Sequence, residues 1–573
     1  MGYKQNYQRW LAQQDMPQLL LQELKNIQND ESEIEDRFYK NLEFGTGGLR
    51  GILGAGINRM NIYTVRQASQ GMADYILSCN AGGQGVAISY DCRNNSELFA
   101  RETARVFAAN GIKVYLSDAL RPVPILSFAV RHFGAKAGAM VTASHNPPQY
   151  NGYKAYGEDG CQFPPEAADK VLEAVQQNDI FTDVKICDFN AAVKDGLIVL
   201  FGEELEELYL QQIYTQRINK NAVKDIENEF KMVYTPLHGS GNVPVRKALA
   251  EIGVKNLYLV DSQVEPDGNF PTVKSPNPEE TEAFTLAIKL AKEHDVDYIL
   301  GTDPDCDRIG IVVRDDRGEY MPLTGNMVGA LLTDYILKNR KNTLPSNGVV
   351  IKTIVTTRMI DAICEKFNVP VLDVLTGFKF IGEKMTEFEQ TGEHEYIFGF
   401  EESYGYLVGT HARDKDGVVS SMIATEMVAW YQKQGKSLYR ALMDLYSEYG
   451  NYREVQWSVT LAGKDGIERM QSMMKQIRQN PPPEMAGRKI LVMKDILTQT
   501  CTDLQTGEKT AIDLPESDVL LFEVQDETWF AVRPSGTEPK IKFYCGTRGQ
   551  SVEQADAFLE QMKDAILKFG NEL

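Results

Sequence analysis

The chain has no apolar run long enough to cross a membrane, no CxxC pair and no surplus of positive charge. Each absence removes a class of function. A spanning helix needs about 20 mostly apolar residues, so no membrane partner is expected. The eight cysteines, Cys92, Cys306 and Cys545 among them, are scattered. Without paired spacing they point to reduced thiols and not to a disulfide framework. Lys and Arg number 60 against 80 Asp and Glu, a formal net charge of −20. So acidic a surface argues against nucleic acid, whose phosphates need basic stripes. It leaves room for a small phosphorylated substrate, because a few Arg and Lys can focus in a cleft. Residues Met1 to Asn6 have no apolar core, so no secretory signal is expected and the cytoplasm is the expected location.

Nucleotide-binding glycine loops are missing too. Phe44-Gly45-Thr46-Gly47-Gly48-Leu49-Arg50-Gly51 fails the GxGxxG spacing, and no strand is expected before it. Its glycines let backbone approach a ligand, and Arg50 within that turn could fork onto a phosphate. Taken alone, a surface arginine in a flexible turn explains the stretch better. Gly377 to Gly382 has P-loop spacing, but Glu383 stands where Lys is required.

What is present is a long, well-filled globular chain. Its 573 residues, 43% hydrophobic and 9% aromatic, suit about four domains. Residues 1–40 show helical apolar spacing and predict two amphipathic helices. From about 85 onward strand and helix alternate, restart near 230 and again near 326. Such alternation predicts βαβ units and mostly parallel sheets. After Arg453 the texture becomes five strands with flanking helices, an α+β pattern with an antiparallel sheet. The expected fold is therefore α/β: three similar mixed α/β domains, then a smaller α+β domain, around a central cleft. The expected boundaries are 1–205, 206–318, 319–452 and 453–573.

Four stretches carry chemistry. A buried strand, Ala137 to Val141, runs into Thr142-Ala143-Ser144-His145-Asn146-Pro147, where the prolines force a loop. Ser144 at that strand end could carry a phosphoryl group, with His145 and Lys154 placed to move protons or hold charge. Taken alone, a plain turn explains the stretch as well. Next, Asp303, Asp305 and Asp307 stand at spacing two just past a strand. Three carboxylates there suit a hard cation such as Mg²⁺. A calcium loop is excluded, because Arg308 and Arg314 occupy its glycine and glutamate positions. Third, Glu401 and Ser403 follow a strand and could meet sugar hydroxyls; a strand-end turn is the alternative. Fourth, Arg533-Pro534-Ser535-Gly536-Thr537-Glu538-Pro539-Lys540 gathers hydroxyls, main-chain N–H groups and cations, the makings of a phosphate cradle. Arg413-Asp414-Lys415-Asp416-Gly417 lacks the hydrophobic strand a haloacid-dehalogenase motif needs, and reads as a structural loop near the cleft.

The first stretch, with Asn151-Gly152-Tyr153-Lys154, resembles the phosphoserine loop of the α-D-phosphohexomutases, and the resemblance spans nearly the whole chain. It implies a serine that carries phosphate and a Mg²⁺ on Asp303, Asp305 and Asp307 that Ser144 completes. It implies Arg50, His145, Lys154 and Arg308 around the transferring group. Lys352, Thr376, Gly377, Phe378, Lys379, Glu401 and Ser403 match its sugar-binding positions. Arg533, Ser535, Gly536, Thr537 and Lys540 match its grip on the non-reacting phosphate. The Glu-Glu-Ser form implies glucose phosphates, exchanged through glucose 1,6-bisphosphate. Pentose and mannose phosphates are the alternatives.

Overall fold

The computed structural model describes every residue except 1, 43, 46–47, 462–465, 536–539 and 573, and the side chains of 44, 45, 571 and 572 also lie outside it. The chain forms two compact units. Met1–Leu323, Ile381–Glu393 and Ser403–Gly435 make the first; Thr324–Phe380, His394–Glu402 and Lys436–Leu573 make the second.

The first unit holds a seven-stranded sheet in the order Phe44–Gly45, Gly48–Ile52, Tyr150–Gly157, Ala137–Val141, Val86–Tyr90, Val114–Ser117, Ile198–Phe201. Its last four strands are parallel, as βαβ alternation requires. The others are antiparallel, so the sheet is mixed. Ala137–Val141 is buried at every position, which suits its small and apolar residues. The strand Tyr150–Gly157, absent from the expectation, returns beside it with Met140 opposite Lys154. Arg50 lies on a strand opposite Gly152 and not in a turn. Gly152 makes this possible: a Cβ there would stand 2.5 Å from the Thr142 carbonyl oxygen.

The second sheet of this unit runs Tyr320–Pro322, Ile309–Arg314, Tyr298–Thr302, Lys231–Thr235, Asn256–Leu259. Tyr298–Thr302 is parallel to Lys231–Thr235 and antiparallel to Ile309–Arg314. Both chemical loops therefore arise alike. Each links a buried core strand to an antiparallel neighbour, through 142–149 in one sheet and 303–308 in the other.

Residues 1–40 form three helices and not two: Tyr3–Leu11, Gln18–Asn26 and Glu31–Phe38. Pro17 precedes the second. Asp30 starts the third by accepting the Glu33 amide at 3.1 Å, a cap that breaks the run. Trp10 holds them to the body, with Phe38 at 5.8 Å and Tyr63 at 5.4 Å, both edge-on.

The second unit contains the parallel strands Val371–Val374, Gly348–Thr353 and Glu395–Glu401. It also contains an antiparallel sheet ordered Asn451–Thr460, Lys540–Gly549, Thr528–Pro534, Leu520–Val524, Arg488–Asp495, Thr500–Asp503, Lys509–Ala511. Met470 and Met474 from one helix and Met562 and Ile566 from another bury Phe522, Phe530 and Phe543 of that sheet. The expected sequence of three α/β blocks and a final antiparallel domain is the observed one. Among the described residues no helix is long and apolar enough to cross a membrane.

Candidate active site

Ser144 follows the buried strand directly and takes φ +52°, a left-handed conformation that ordinary residues avoid. Its amide donates to Thr142 Oγ1 at 2.8 Å. That hydroxyl lies 2.7 Å from Asp91 Oδ2 and 3.2 Å from Asp305 Oδ2. Thr142 thus ties the serine loop to the aspartate loop. The Ser144 hydroxyl donates to Asp303 Oδ2 at 2.9 Å.

The aspartate loop is closed tightly. Asp303 Oδ1 accepts the amides of Asp307 at 3.1 Å and Arg308 at 3.0 Å. Ser240 donates twice, from N and Oγ, to the Pro304 carbonyl at 2.8 Å. Gly239 must be glycine for this contact, since a Cβ would stand 2.6 Å from Pro304 Cα. One oxygen from each of Asp303, Asp305 and Asp307 lies within 4.8 Å of the others, and the three residues are 0%, 0% and 1% exposed. Burial first, and then the charges of Asp305 and Asp307, push the Asp303 carboxyl well above its ordinary value. Burial works the same way on Asp307, but Lys154, Lys415 and Arg308 more than offset it and hold that carboxyl down. Asp305 Oδ1 and Asp307 Oδ1 are buried with no hydrogen-bond partner among the described residues. Buried carboxylate oxygens without partners are costly. An all-oxygen donor set with two such atoms fits a divalent cation of the Mg²⁺ type.

Four cations and one imidazole ring this centre. Arg308 Nη1 donates to Ser144 Oγ at 3.3 Å and also to His145 Nδ1. Burial, with help from Arg308 and Arg50, holds the His145 ring well below its ordinary value, so it is neutral at pH 7. Lys154 Nζ donates to Asp305 Oδ2 at 2.8 Å and Asp307 Oδ2 at 3.2 Å. Burial pulls its ammonium down, but those two carboxylates prevail and raise it. Arg50 Nη1 donates to Asn146 Oδ1 at 3.0 Å from an exposed position. Lys415 Nζ lies 3.3 Å from Asp307 Oδ2 and 3.0 Å from Asp414 Oδ1. The Arg413–Gly417 stretch, read from sequence as structural, therefore supplies a cation to the aspartates. Asp91 and Lys415 carried no chemical signal in sequence; Thr142 was visible only as part of the serine motif.

The second unit gathers a different set. Glu401 ends the strand Glu395–Glu401 and Lys352 lies on the neighbouring strand. Burial and then the Glu401 charge push the Glu402 carboxyl up to about 7, and Thr353 Oγ1 donates to it at 3.0 Å. Tyr544 is raised by burial, by Glu402 next, and is partly relieved by Arg533. Glu402 and Arg533, the arginine of the expected phosphate cradle, thus both act on one tyrosine. Lys542 stands opposite Arg533 on the adjacent strand, and Ser535 N donates to the Lys540 carbonyl at 2.7 Å. Lys352, 2% exposed, donates to Asp373 at 2.6 Å. Thr376 and Gly377, the latter at φ +114°, lead into the helix Phe378–Thr391. Lys379 holds its ammonium 5.0 Å over the Phe380 ring. Ser403 belongs to the first unit. Gly536 and Thr537 lie outside the described residues.

The chain matches the phosphoglucomutase/phosphomannomutase alpha/beta/alpha domain I over 41–180, domain II over 207–318 and domain III over 324–449. It is 37% identical to a phosphoglucomutase of Staphylococcus haemolyticus over 525 residues, covering 91% of this chain and 93% of the relative. It is 36% identical to a phosphoglucomutase of Staphylococcus aureus strain MRSA252, covering 91% and 92%. In fold it is similar to parafusin (phosphoglucomutase) from Paramecium in its open form, with TM-score 0.69 and 17% identity over 93% of this chain and 95% of that one. A phosphoglucomutase/phosphomannomutase family protein from Burkholderia thailandensis gives TM-score 0.64 and 18% identity over 92% and 97%. The chain belongs to the phosphoglucomutase/phosphomannomutase family of the α-D-phosphohexomutase superfamily.

Proposed function

We propose that the chain interconverts α-D-glucose 1-phosphate and glucose 6-phosphate. It is an isomerase, a phosphoglucomutase, and its relatives at 36–37% identity over most of the chain carry that name. The observation that carries the mechanism is the Ser144 hydroxyl 2.9 Å from Asp303 within a buried aspartate triplet that has two partnerless oxygens. Ser144 carries the phosphoryl group. The sugar's O6 hydroxyl attacks the phosphorus, the P–Oγ bond breaks, and glucose 1,6-bisphosphate forms. In the second half the 1-phosphoryl group passes to Ser144 Oγ and glucose 6-phosphate leaves. When bound by Asp303, Asp305, Asp307 and the phosphoserine, Mg²⁺ supplies electrostatic stabilisation of the charge that develops in transfer.

The residues divide the proton work by charge. His145, held neutral by burial and by Arg308, can take a proton. Lys154, held charged by Asp305 and Asp307, can give one. Arg308 and Arg50 stabilise the transferring group. Lys352, the Thr376–Lys379 turn, Glu401 and Ser403 bind the sugar. Arg533, Ser535, Gly536, Thr537 and Lys540 hold the phosphate that is not reacting. On this reading residues 1–205 carry the phosphoserine, 206–318 the metal, 319–452 sugar recognition and 453–573 the distal phosphate. The cytoplasm suits a chain whose eight cysteines form no disulfide.

The test compares kcat/KM for glucose 1-phosphate, mannose 1-phosphate and ribose 1-phosphate, with Mg²⁺ and a trace of glucose 1,6-bisphosphate. A glucose preference that vanishes in Ser144→Ala is expected. A mannose or ribose preference would keep the serine chemistry and overturn the role of Glu401 and Ser403.

A further inference from the structure

We propose that Arg93 is the positioning residue for the phosphoryl-carrying serine, and that Phe270 locks it in place. Nothing in the sequence singles out Arg93, a lone arginine before the helix Ser96–Ala109. In the structure its guanidinium is spent wholly on the backbone of the serine loop. Nε and Nη2 donate to the Ser144 carbonyl at 3.2 and 2.5 Å. Nη1 donates to the carbonyls of Pro147 at 3.1 Å and Tyr150 at 3.0 Å, and Nη2 also reaches that of Asn146. The side chain is 0% exposed. It therefore touches no substrate and acts only through the loop.

Physical chemistry explains why an arginine is needed. Loop 144–150 reverses direction and turns four carbonyl oxygens inward, where they repel. Only the planar five-donor fork of a guanidinium can bridge so many acceptors at once. The bidentate grip on the Ser144 carbonyl also holds that residue in its left-handed conformation, which in turn aims Oγ at Asp303. Arg93 is itself fixed from two sides. Asp91 Oδ2 lies 3.5 Å from its Nε. The Phe270 ring, 1% exposed, covers it at 5.0 Å, a cation–π arrangement.

Phe270 comes from the part of the chain that carries the aspartate loop. Its segment rests directly on the arginine's turn: a Cβ on Gly268 would stand 2.4 Å from the Asn94 amide nitrogen. Ser275, a little further on, donates to the His145 carbonyl at 3.1 Å. Segment 267–275 thus clamps the serine loop from the metal side, and Arg93 is the piece between them. This rests on the serine-transfer reading above.

The experiment uses the full chain with Mg²⁺ and glucose 1,6-bisphosphate, and compares the parent with Arg93→Lys, Arg93→Ala and Phe270→Leu. A displaced nucleophile costs turnover and leaves recognition alone, so kcat of Arg93→Lys is expected to fall about 100-fold with KM for glucose 1-phosphate unchanged. Phe270→Leu loses less. Added guanidinium ion is expected to restore part of the Arg93→Ala turnover, which a merely destabilised fold would not show. If Arg93→Ala does not fold, the lysine and leucine variants carry the test. Amide hydrogen exchange is expected to speed up in a peptide spanning 142–150 and to stay unchanged elsewhere. A kcat for Arg93→Lys close to the parent's, a raised KM with kcat intact, or unchanged exchange in that peptide overturns the proposal. An inactive parent overturns the mutase reading instead, while loop exchange still judges the hold of Arg93.

Discussion

Both units raise a buried carboxyl by burial and by like charge, Asp303 in the first and Glu402 in the second, but they balance it differently. In the first, carboxylates and cations interlock: Lys154 bridges Asp305 and Asp307, Lys415 meets Asp307, and Arg308 meets Ser144 and His145. In the second, Glu402 sits near Glu401, and its carboxyl rises to about 7. The first arrangement is an electrostatic centre that folding assembles, whose field is in place before any sugar arrives. The second holds a carboxyl that titrates near neutral pH, where its protonated form can donate a hydrogen bond as well as accept one. On the proposed function the fixed field serves transfer, and groups that can be donor or acceptor suit a sugar that presents either end.

Variants in the first unit should have the largest effects. Ser144→Ala is expected to lose turnover by on the order of 10⁴-fold or more, read as initial rate with glucose 1-phosphate. Chelation of Mg²⁺ should abolish activity. Added Mg²⁺ should raise the melting temperature of the parent but not of Asp305→Ala, since a ligand at 100 times its Kd stabilises by about 2.7 kcal/mol. In the second unit, Arg533→Ala should raise KM about tenfold with a smaller change in kcat. A loss confined to kcat there would erase the contrast between the units.

The smallest effect is a pH dependence. The folded Glu402 carboxyl, raised from 4.5 to about 7, keeps a proton that the unfolded chain releases. Its contribution is therefore fully present below the unfolded value and is lost as pH rises through that window, then levels off above it. The loss is at most about 3 kcal/mol. Denaturant melts from pH 5 to 8 should slope downward more steeply in the parent than in Glu402→Gln. Equal slopes would show that burial and Glu401 do not hold the proton there.

Much of this was legible in the sequence because local patterns record local causes. Ala137–Val141 reads as a buried strand, the prolines after Asn146 read as a loop, and aspartates at spacing two read as a cation site; the structure has that strand and that loop, and it brings the three aspartates together. What was missed came from convergence across distance. The strand Tyr150–Gly157 is buried through its middle, yet its asparagine and two glycines read as loop. The Lys154–Asp305 pair is separated by 151 residues, and no periodicity encodes such a meeting. Arg93 sits in a charged turn that looks like solvated surface, and Lys415 in a stretch that reads as a structural loop near the cleft. Tyr544 looks like any strand aromatic until Glu402 and Arg533 are folded around it. The three N-terminal helices read as two because the apolar pattern runs on across Pro17 and the capping Asp30.

The central claim is that Ser144 carries the phosphoryl group during turnover. The direct measurement is mass spectrometry of the peptide containing Ser144, after loading with glucose 1,6-bisphosphate whose phosphates carry ¹⁸O and with Mg²⁺, followed by rapid mixing with unlabelled glucose 1-phosphate. The account predicts labelled phosphate on Ser144 that is replaced by unlabelled phosphate at least as fast as the enzyme turns over. An active enzyme whose Ser144 never carries the label, or whose label is exchanged more slowly than turnover, would contradict it.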